Sequence, residues 1–254
     1  KITFSSDSII QIASKACVGL PLHNCIFKSI NYIILSAECQ RIVFLTFYNA
    51  NDIIISIKVN TEGKMKYIGT QNFETARLIC RPFKQEDCND MLENWIADPD
   101  VQLEYGEPVY TDISQVKGIL ADYIKNYQKP DFYRWAVIEK SSGKNIGQIA
   151  FCRVYSDCRT AEIEYCIGQS FWGNGYAGEA LNGLIDFTFS NTDFQKLEAY
   201  HRNENVKSGR VLEKSLMHIT DTVERFIREG LSPYGEVCYC IDRSTYELNN
   251  HKSK

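Results

Sequence analysis

From residue 77 the chain switches between two hydrophobic periods, and the switches mark out its elements. Residues 77–83 alternate apolar and polar positions, the pattern of a half-buried strand, and Pro82 ends it. Cys88, Met91, Leu92, Trp95 and Ile96 then recur at helical spacing, and Val116, Ile119, Leu120, Tyr123, Ile124 and Tyr127 repeat that stripe. Asp112 with Gln115 has the form of a capping box for the second of these helices. Two helices are therefore predicted after the first strand. Residues 135–139, 146–155 and 161–167 read as strands, joined by turns at Ser141-Ser142-Gly143 and Ser156-Asp157 short enough to make them antiparallel neighbours.

A helical stripe of Ala177, Ala180, Leu181, Leu184 and Ile185 follows, and residues 196–200 return as a strand. A crossover of that length fits parallel pairing. Residues 206–215 read as a helix capped by Asn205, and residues 223–227 with 236–243 as a closing hairpin. The predicted fold class is α/β (α+β): a mixed, mostly antiparallel sheet of about six or seven strands flanked by about four helices.

Before residue 65 the pattern is weaker. Residues 1–64 are rich in isoleucine, serine and asparagine, and only 42–47 and 53–59, around Asn49, Asn51 and Asp52, suggest a β-hairpin. The expected partition is an appendage over 1–64, the main domain over 65–248 and a polar tail over 249–254; an independently folded small module is the alternative for the first part.

Composition narrows the function classes. With 44% hydrophobic and 24% charged residues the chain reads as a globular protein able to bury a core, and a net charge of -4 argues against sequence-independent nucleic-acid binding. The ten cysteines are scattered and read as reduced thiols of a cytoplasmic protein. Cys238 and Cys240 share a strand face, no Cys-x-x-Cys occurs and the four histidines lack ligand spacing, so no metal is expected. No apolar run is long enough to span a membrane, and the start lacks the pattern of a secretory signal.

The chemistry concentrates after residue 160. Gly173, Gly175 and Gly178 form a turn between a strand and a helix N-terminus, where unpaired N–H groups and the helix dipole favour an anion. The same glycines satisfy Gly-x-Gly-x-x-Gly with Glu198 twenty residues on, the fingerprint of a dinucleotide fold. That reading requires the turn to follow the first strand of a buried parallel sheet, whereas here it follows a meander whose last strand carries Glu162 and Glu164. A turn that merely closes a strand–helix corner is the bland alternative.

The segment from Trp172 to Leu181 resembles the pyrophosphate-binding signature of the GNAT superfamily of N-acetyltransferases, with Trp172 where the RimJ/RimL-like subgroup carries tryptophan. Residues 74–83, 161–165 and 205–214 are similar to that subgroup's opening strand, fourth strand and last helix, so the likeness spans about residues 66–246 in order. It implies acetyl-CoA as co-substrate, held by Cys166, Ile167, Trp172, Gly173, Asn174, Gly175, Tyr176, Ala177, Gly178 and Asn205, without a metal. It also implies direct attack by an amine, either a protein N-terminus or a small molecule, and leaves a homodimer open. Glu162 and Glu164 share a strand face leading to the turn, and either could act as base, or both could simply face solvent. The family's tyrosine acid falls on Leu212, while Ser208 resembles the serine proposed to protonate the thiolate. The readings kept are an N-acetyltransferase, a dinucleotide-binding (NAD or FAD) oxidoreductase and a non-catalytic acyl-CoA-binding module.

Overall fold

The computed structural model describes residues 30–36, 41–47 and 65–252. The chain divides into two compact units, Lys1–Lys64 and Met65–Lys254. In the first, β1 (Ile30–Ser36) and β2 (Arg41–Phe47) pair antiparallel, Ile30 opposite Phe47. The strand expected over 42–47 thus pairs with residues that precede it; its expected partner, 53–59, lies outside the described residues.

The second unit is built on an eight-stranded sheet. Its strands are β3 (Phe73–Glu74), β4 (Leu78–Arg81), β5 (Arg134–Glu139), β6 (Asn145–Tyr155), β7 (Thr160–Ile167), β8 (Lys196–Arg202), β9 (His218–Thr220) and β10 (Glu236–Asp242). They lie in the order β3-β4-β5-β6-β7-β8-β10-β9, and all pairs are antiparallel except β7 with β8. The predicted fold class and its single parallel crossover are present. The two strands that the periodicity did not predict, β3 and β9, are too short to carry a period of their own.

Three helical segments follow β4, not two. A composite begins with a 3-10 turn, Gln85–Asp87, continues as α1 (Cys88–Met91) and widens into a π-helical turn, Leu92–Ile96. The unread segment is α2 (Pro99–Tyr105), started by Pro99 and by the Asp98 carboxylate accepting from the N–H groups of Asp100 and Val101. Next comes α3 (Ile113–Asn126), which Asp112 caps through the Ser114 N–H. These three cover one face of the sheet around Met91, Trp95, Val116 and Leu120. On the other face α4 (Tyr176–Asn191) buries Ala180, Leu181, Leu184 and Ile185 against Trp135, Ile149 and Ile163.

The closing hairpin is the clearest correction. Residues 224–229 form a helix, α6 (Glu224–Glu229), and the edge strand paired with β10 is β9. The apolar residues Val223 and Phe226 are three apart and pack together with Cys238, a helical spacing hidden by the shortness of the segment. Earlier in the chain, α5 (Val206–Glu213) lies between β8 and β9, and α7 (Arg243–Lys252) follows β10 into the expected tail. No helix among the described residues is long and apolar enough to cross a membrane.

Candidate active site

The site starts from a failure of pairing. β7 and β8 pair at only three positions, Thr160 with Lys196 through Glu162 with Glu198, although both strands run on to Ile167 and Arg202. Beyond Glu162 the backbone edge of β7 therefore has no strand on that side among the described residues. The gap is a cavity of about 930 Å³ whose wall includes Glu162 to Ile167, the glycine turn and the face of α5 that carries Ser208.

At the upper end of this gap lies the turn. Gly173 and Gly175 have φ of 80° and 79°, left-handed values that glycine adopts without steric cost. Gly175 is the N-cap of α4 and, having no side chain, offers no cap bond to the first-turn N–H groups of Tyr176, Ala177 and Gly178. They remain available to an anion at the positive end of a sixteen-residue helix. Across the gap α5 and its C-cap residue add Lys207, Arg210 and Lys214 to the wall, a stripe at helical spacing that is legible in the sequence. This anion cradle fits the phosphates of a coenzyme A ester.

The turn is braced from outside. Arg77 donates to the Asn174 carbonyl at 3.0 Å and to Glu179 at 2.6 Å, and its guanidinium lies 4.6 Å from the centre of the Tyr176 ring. Trp172 donates its indole N–H to the Ile167 carbonyl at 2.6 Å, tying the turn to the end of β7. Of the expected cofactor residues, Trp172, Gly173, Gly175, Tyr176, Ala177 and Gly178 line the cavity with Cys166, Ile167 and Asn205, while Asn174 does not. Asn205 uses its amide within the protein, accepting from the Ser208 N–H at 2.9 Å and donating to the Glu104 carbonyl at 3.2 Å. Cys166 is buried, which pushes its thiol far from the thiolate range and leaves it inert as a nucleophile.

The two glutamates occupy different surroundings. A bulge at Cys152 breaks the β6–β7 register between Phe151 and Arg153. It turns both Cys152 and Arg153 toward Glu162, whose Oε1 accepts from Arg153 at 2.7 Å and from the Cys152 thiol at 3.2 Å. Glu162 Oε2 has no partner among the described residues, although Glu162 is only 3% exposed. A buried carboxylate oxygen left unpaired in a cavity wall is costly unless a ligand completes it. Glu164 Oε1 instead accepts from Arg134 at 2.6 Å and from the Tyr105 hydroxyl at 2.8 Å. It is locked into a network that includes Gln148, to which Arg134 donates at 2.6 Å.

Ser208 stands in the first turn of α5 with its hydroxyl 2.8 Å from that of Tyr165. Burial holds the Tyr165 phenol well above its ordinary range, so it keeps its proton at neutral pH. Sequence reasoning missed Tyr165, Arg153 and Arg134. Tyr165 sits among apolar neighbours and reads as core, and the bulge that aims Arg153 leaves no mark in the spacing. Glu198, the acidic residue of the dinucleotide fingerprint, is buried on β8 against Lys196 at 2.7 Å and the Glu224 N–H at 2.8 Å, so it is committed within the fold.

Residues 77–218 match the family described as Acetyltransferase (GNAT) domain. An uncharacterised N-acetyltransferase of Bacillus licheniformis is 30% identical over 138 residues, 54% of this chain and 77% of that protein. Another from Bacillus subtilis is 26% identical over 168 residues, 66% of this chain and 94% of that one. Among solved structures, a putative ribosomal-protein-serine acetyltransferase from Vibrio cholerae superposes with a TM-score of 0.57 at 20% identity, covering 69% of this chain and 99% of that one. The microcin C7 self-immunity acetyltransferase, solved in complex with acetyl-CoA and AMP, gives 0.52 at 16% identity, over 66% and 93%.

Proposed function

The chain belongs to the GNAT acetyltransferase family, and from that premise we propose that it transfers the acetyl group of acetyl-CoA to a primary amine by direct attack. The observation that carries this reading is that the uncapped N-terminus of α4 and the buried carboxylate of Glu162, one oxygen of which has no partner among the described residues, stand in the wall of one gap between β7 and β8. Acetyl-CoA, when bound, supplies the thioester carbonyl that the amine attacks. The N–H groups of Tyr176, Ala177 and Gly178 hold its pyrophosphate, and Lys207, Arg210 and Lys214 add positive charge beside it. The free backbone edge of β7 at Cys166 and Ile167 receives the pantetheine arm.

An α-amino group titrates at about 8 and a lysine amine at about 10.4, so the acceptor arrives largely protonated. Glu162 Oε2 takes that proton, either directly or through water, while Arg153 fixes the carboxylate in place through Oε1. Glu164, engaged by Arg134 and Tyr105, positions the wall rather than moving the proton. The Tyr165–Ser208 pair holds a proton for the departing sulfur. The acceptor is a protein N-terminus or a small-molecule amine, and the protein acts without a metal in the reaction. Thiol release from acetyl-CoA against a panel of N-terminal peptides, diamines and amino sugars checks the reading. Acetyl-CoA binding without acetylation of any amine would reduce the protein to a binding module.

A further inference from the structure

Away from the gap, on the edge of the sheet, the register of β9 against β10 brings together three side chains that sequence spacing keeps apart. His218 lies directly opposite Cys240, and Asp242 is two residues further along the same face of β10. The ligand atoms of His218, Cys240 and Asp242 all lie within 4.8 Å of one another, with Cys240 Sγ 3.4 Å from His218 Nε2. We propose that these three residues bind a zinc ion, which clips the edge strand to the sheet.

The sulfur–nitrogen separation of 3.4 Å matches what the metal requires, and the Asp242 carboxylate lies close enough to close on the ion. Ligands at about 2.3 Å for sulfur and about 2.0–2.1 Å for imidazole nitrogen around a tetrahedral ion stand roughly 3.5 Å apart. One thiolate, one imidazole and one carboxylate form a donor set suited to zinc rather than to magnesium or calcium, which take oxygen. His218 is exposed while Cys240 is 7% exposed, so the ion has an entry path and a place for water as fourth ligand. Lys196, which lies opposite Asp242 on β8, is engaged by Glu198 at 2.7 Å and Glu224 at 3.9 Å. β9 needs such a clip, because it holds to the sheet by only three paired residues at an open edge. Zinc uptake replaces the thiol proton of Cys240, which leaves to solvent, and forms one bond to each of the three ligands.

Titration of the reduced 254-residue chain with Co(II) alone tests the site. One equivalent should produce a thiolate-to-cobalt charge-transfer band with tetrahedral ligand-field bands, and Zn(II) should abolish both. One equivalent of zinc should raise the melting temperature. Cys240→Ser should remove the charge-transfer band. His218→Gln, which alters an exposed side chain, and Asp242→Asn should each weaken cobalt binding by more than roughly 10-fold, the loss that even an outer partner of a metal site can bring. Acetyl-CoA-induced stabilisation should be unchanged in these variants, which separates loss of metal from loss of fold. Absence of the band, or a band that survives in both Cys240→Ser and His218→Gln, overturns the proposal.

Discussion

The hydroxyls of Tyr165 and Ser208 stand 2.8 Å apart, joining β7 to α5 across the open side of the gap. Side chains alternate along a strand, so Tyr165 leaves the face of β7 opposite to Glu162 and Glu164. Proton donor and proton acceptor are therefore held on two sides of the same backbone edge. If the pair serves the departing sulfur as a unit, Tyr165→Phe and Ser208→Ala should each lower kcat by roughly 10-fold, and the double variant should be little worse than either single one. Steady-state kinetics on the three variants decides this; fully additive losses would mean that the two hydroxyls act separately.

Glu162→Gln should reduce kcat by roughly 100-fold with the KM for acetyl-CoA unchanged, because the amide keeps the size of the side chain and removes its basicity. Glu164→Gln should retain much more turnover but melt earlier, since Arg134, with 15% of its side chain exposed, loses its anionic partner. Rates across the pH range in which the amine is mostly protonated, paired with thermal melts, separate the two. A large kcat loss confined to Glu164→Gln would exchange the roles.

The long elements from residue 77 to the strand over 196–200 were legible in their order because each carries enough turns or alternations to fix a period. Where the reading failed, the segments were short or their pairing was non-local. α2 spans residues 99–105 and rests on Pro99 and the Asp98 cap more than on an apolar stripe. α6 spans residues 224–229, too few to tell a helix from a strand by spacing. At the site, the glycine turn could be read because its glycines answer a backbone demand that sequence records. The partners of Glu162 could not, since they depend on a bulge at Cys152 that alters register without altering composition.

Burial raises the pKa of the Glu198 carboxyl above its ordinary value of 4.5, against the hydrogen bonds from Lys196 and the Glu224 N–H. A raised folded-state pKa means that the folded protein binds this proton more tightly than the unfolded chain. The resulting stabilisation is fully present below 4.5 and is lost as pH rises through the folded value. Wild type relative to Glu198→Gln should therefore be more stable at pH 4 than at pH 7, as melting curves of both proteins across that window would show. A difference independent of pH would mean that Glu198 titrates alike in both states.

Met65 is buried in the core of the second unit, with Tyr67 and Ile68 packed against it. A fragment starting a few residues before Met65 should therefore unfold cooperatively and be stabilised by acetyl-CoA as the full chain is. A fragment starting at residue 70 should melt earlier, because those contacts are gone. Denaturant unfolding of both, followed by tryptophan fluorescence, tests this. Failure of the longer fragment to fold would show that residues 1–64 complete the core.

The anion cradle can be tested with two glycines that answer to different physics. Gly175 has a φ of 79°, so Gly175→Val should raise the KM for acetyl-CoA and also destabilise the fold by roughly 1–2 kcal/mol through backbone strain. Those two effects share a sign and cannot alone separate ligand contact from damage. Gly178 can, because it lies within the first turn of α4 and a Cβ added there meets nothing within 4 Å. Gly178→Ala should raise the melting temperature, since alanine in a helix is favoured over glycine by about 1 kcal/mol. If the pyrophosphate lies on that turn, the new methyl group should at the same time raise the KM for acetyl-CoA several-fold. Opposite signs in stability and affinity would mark contact with the ligand, and an unchanged KM would move the phosphates away from the helix terminus.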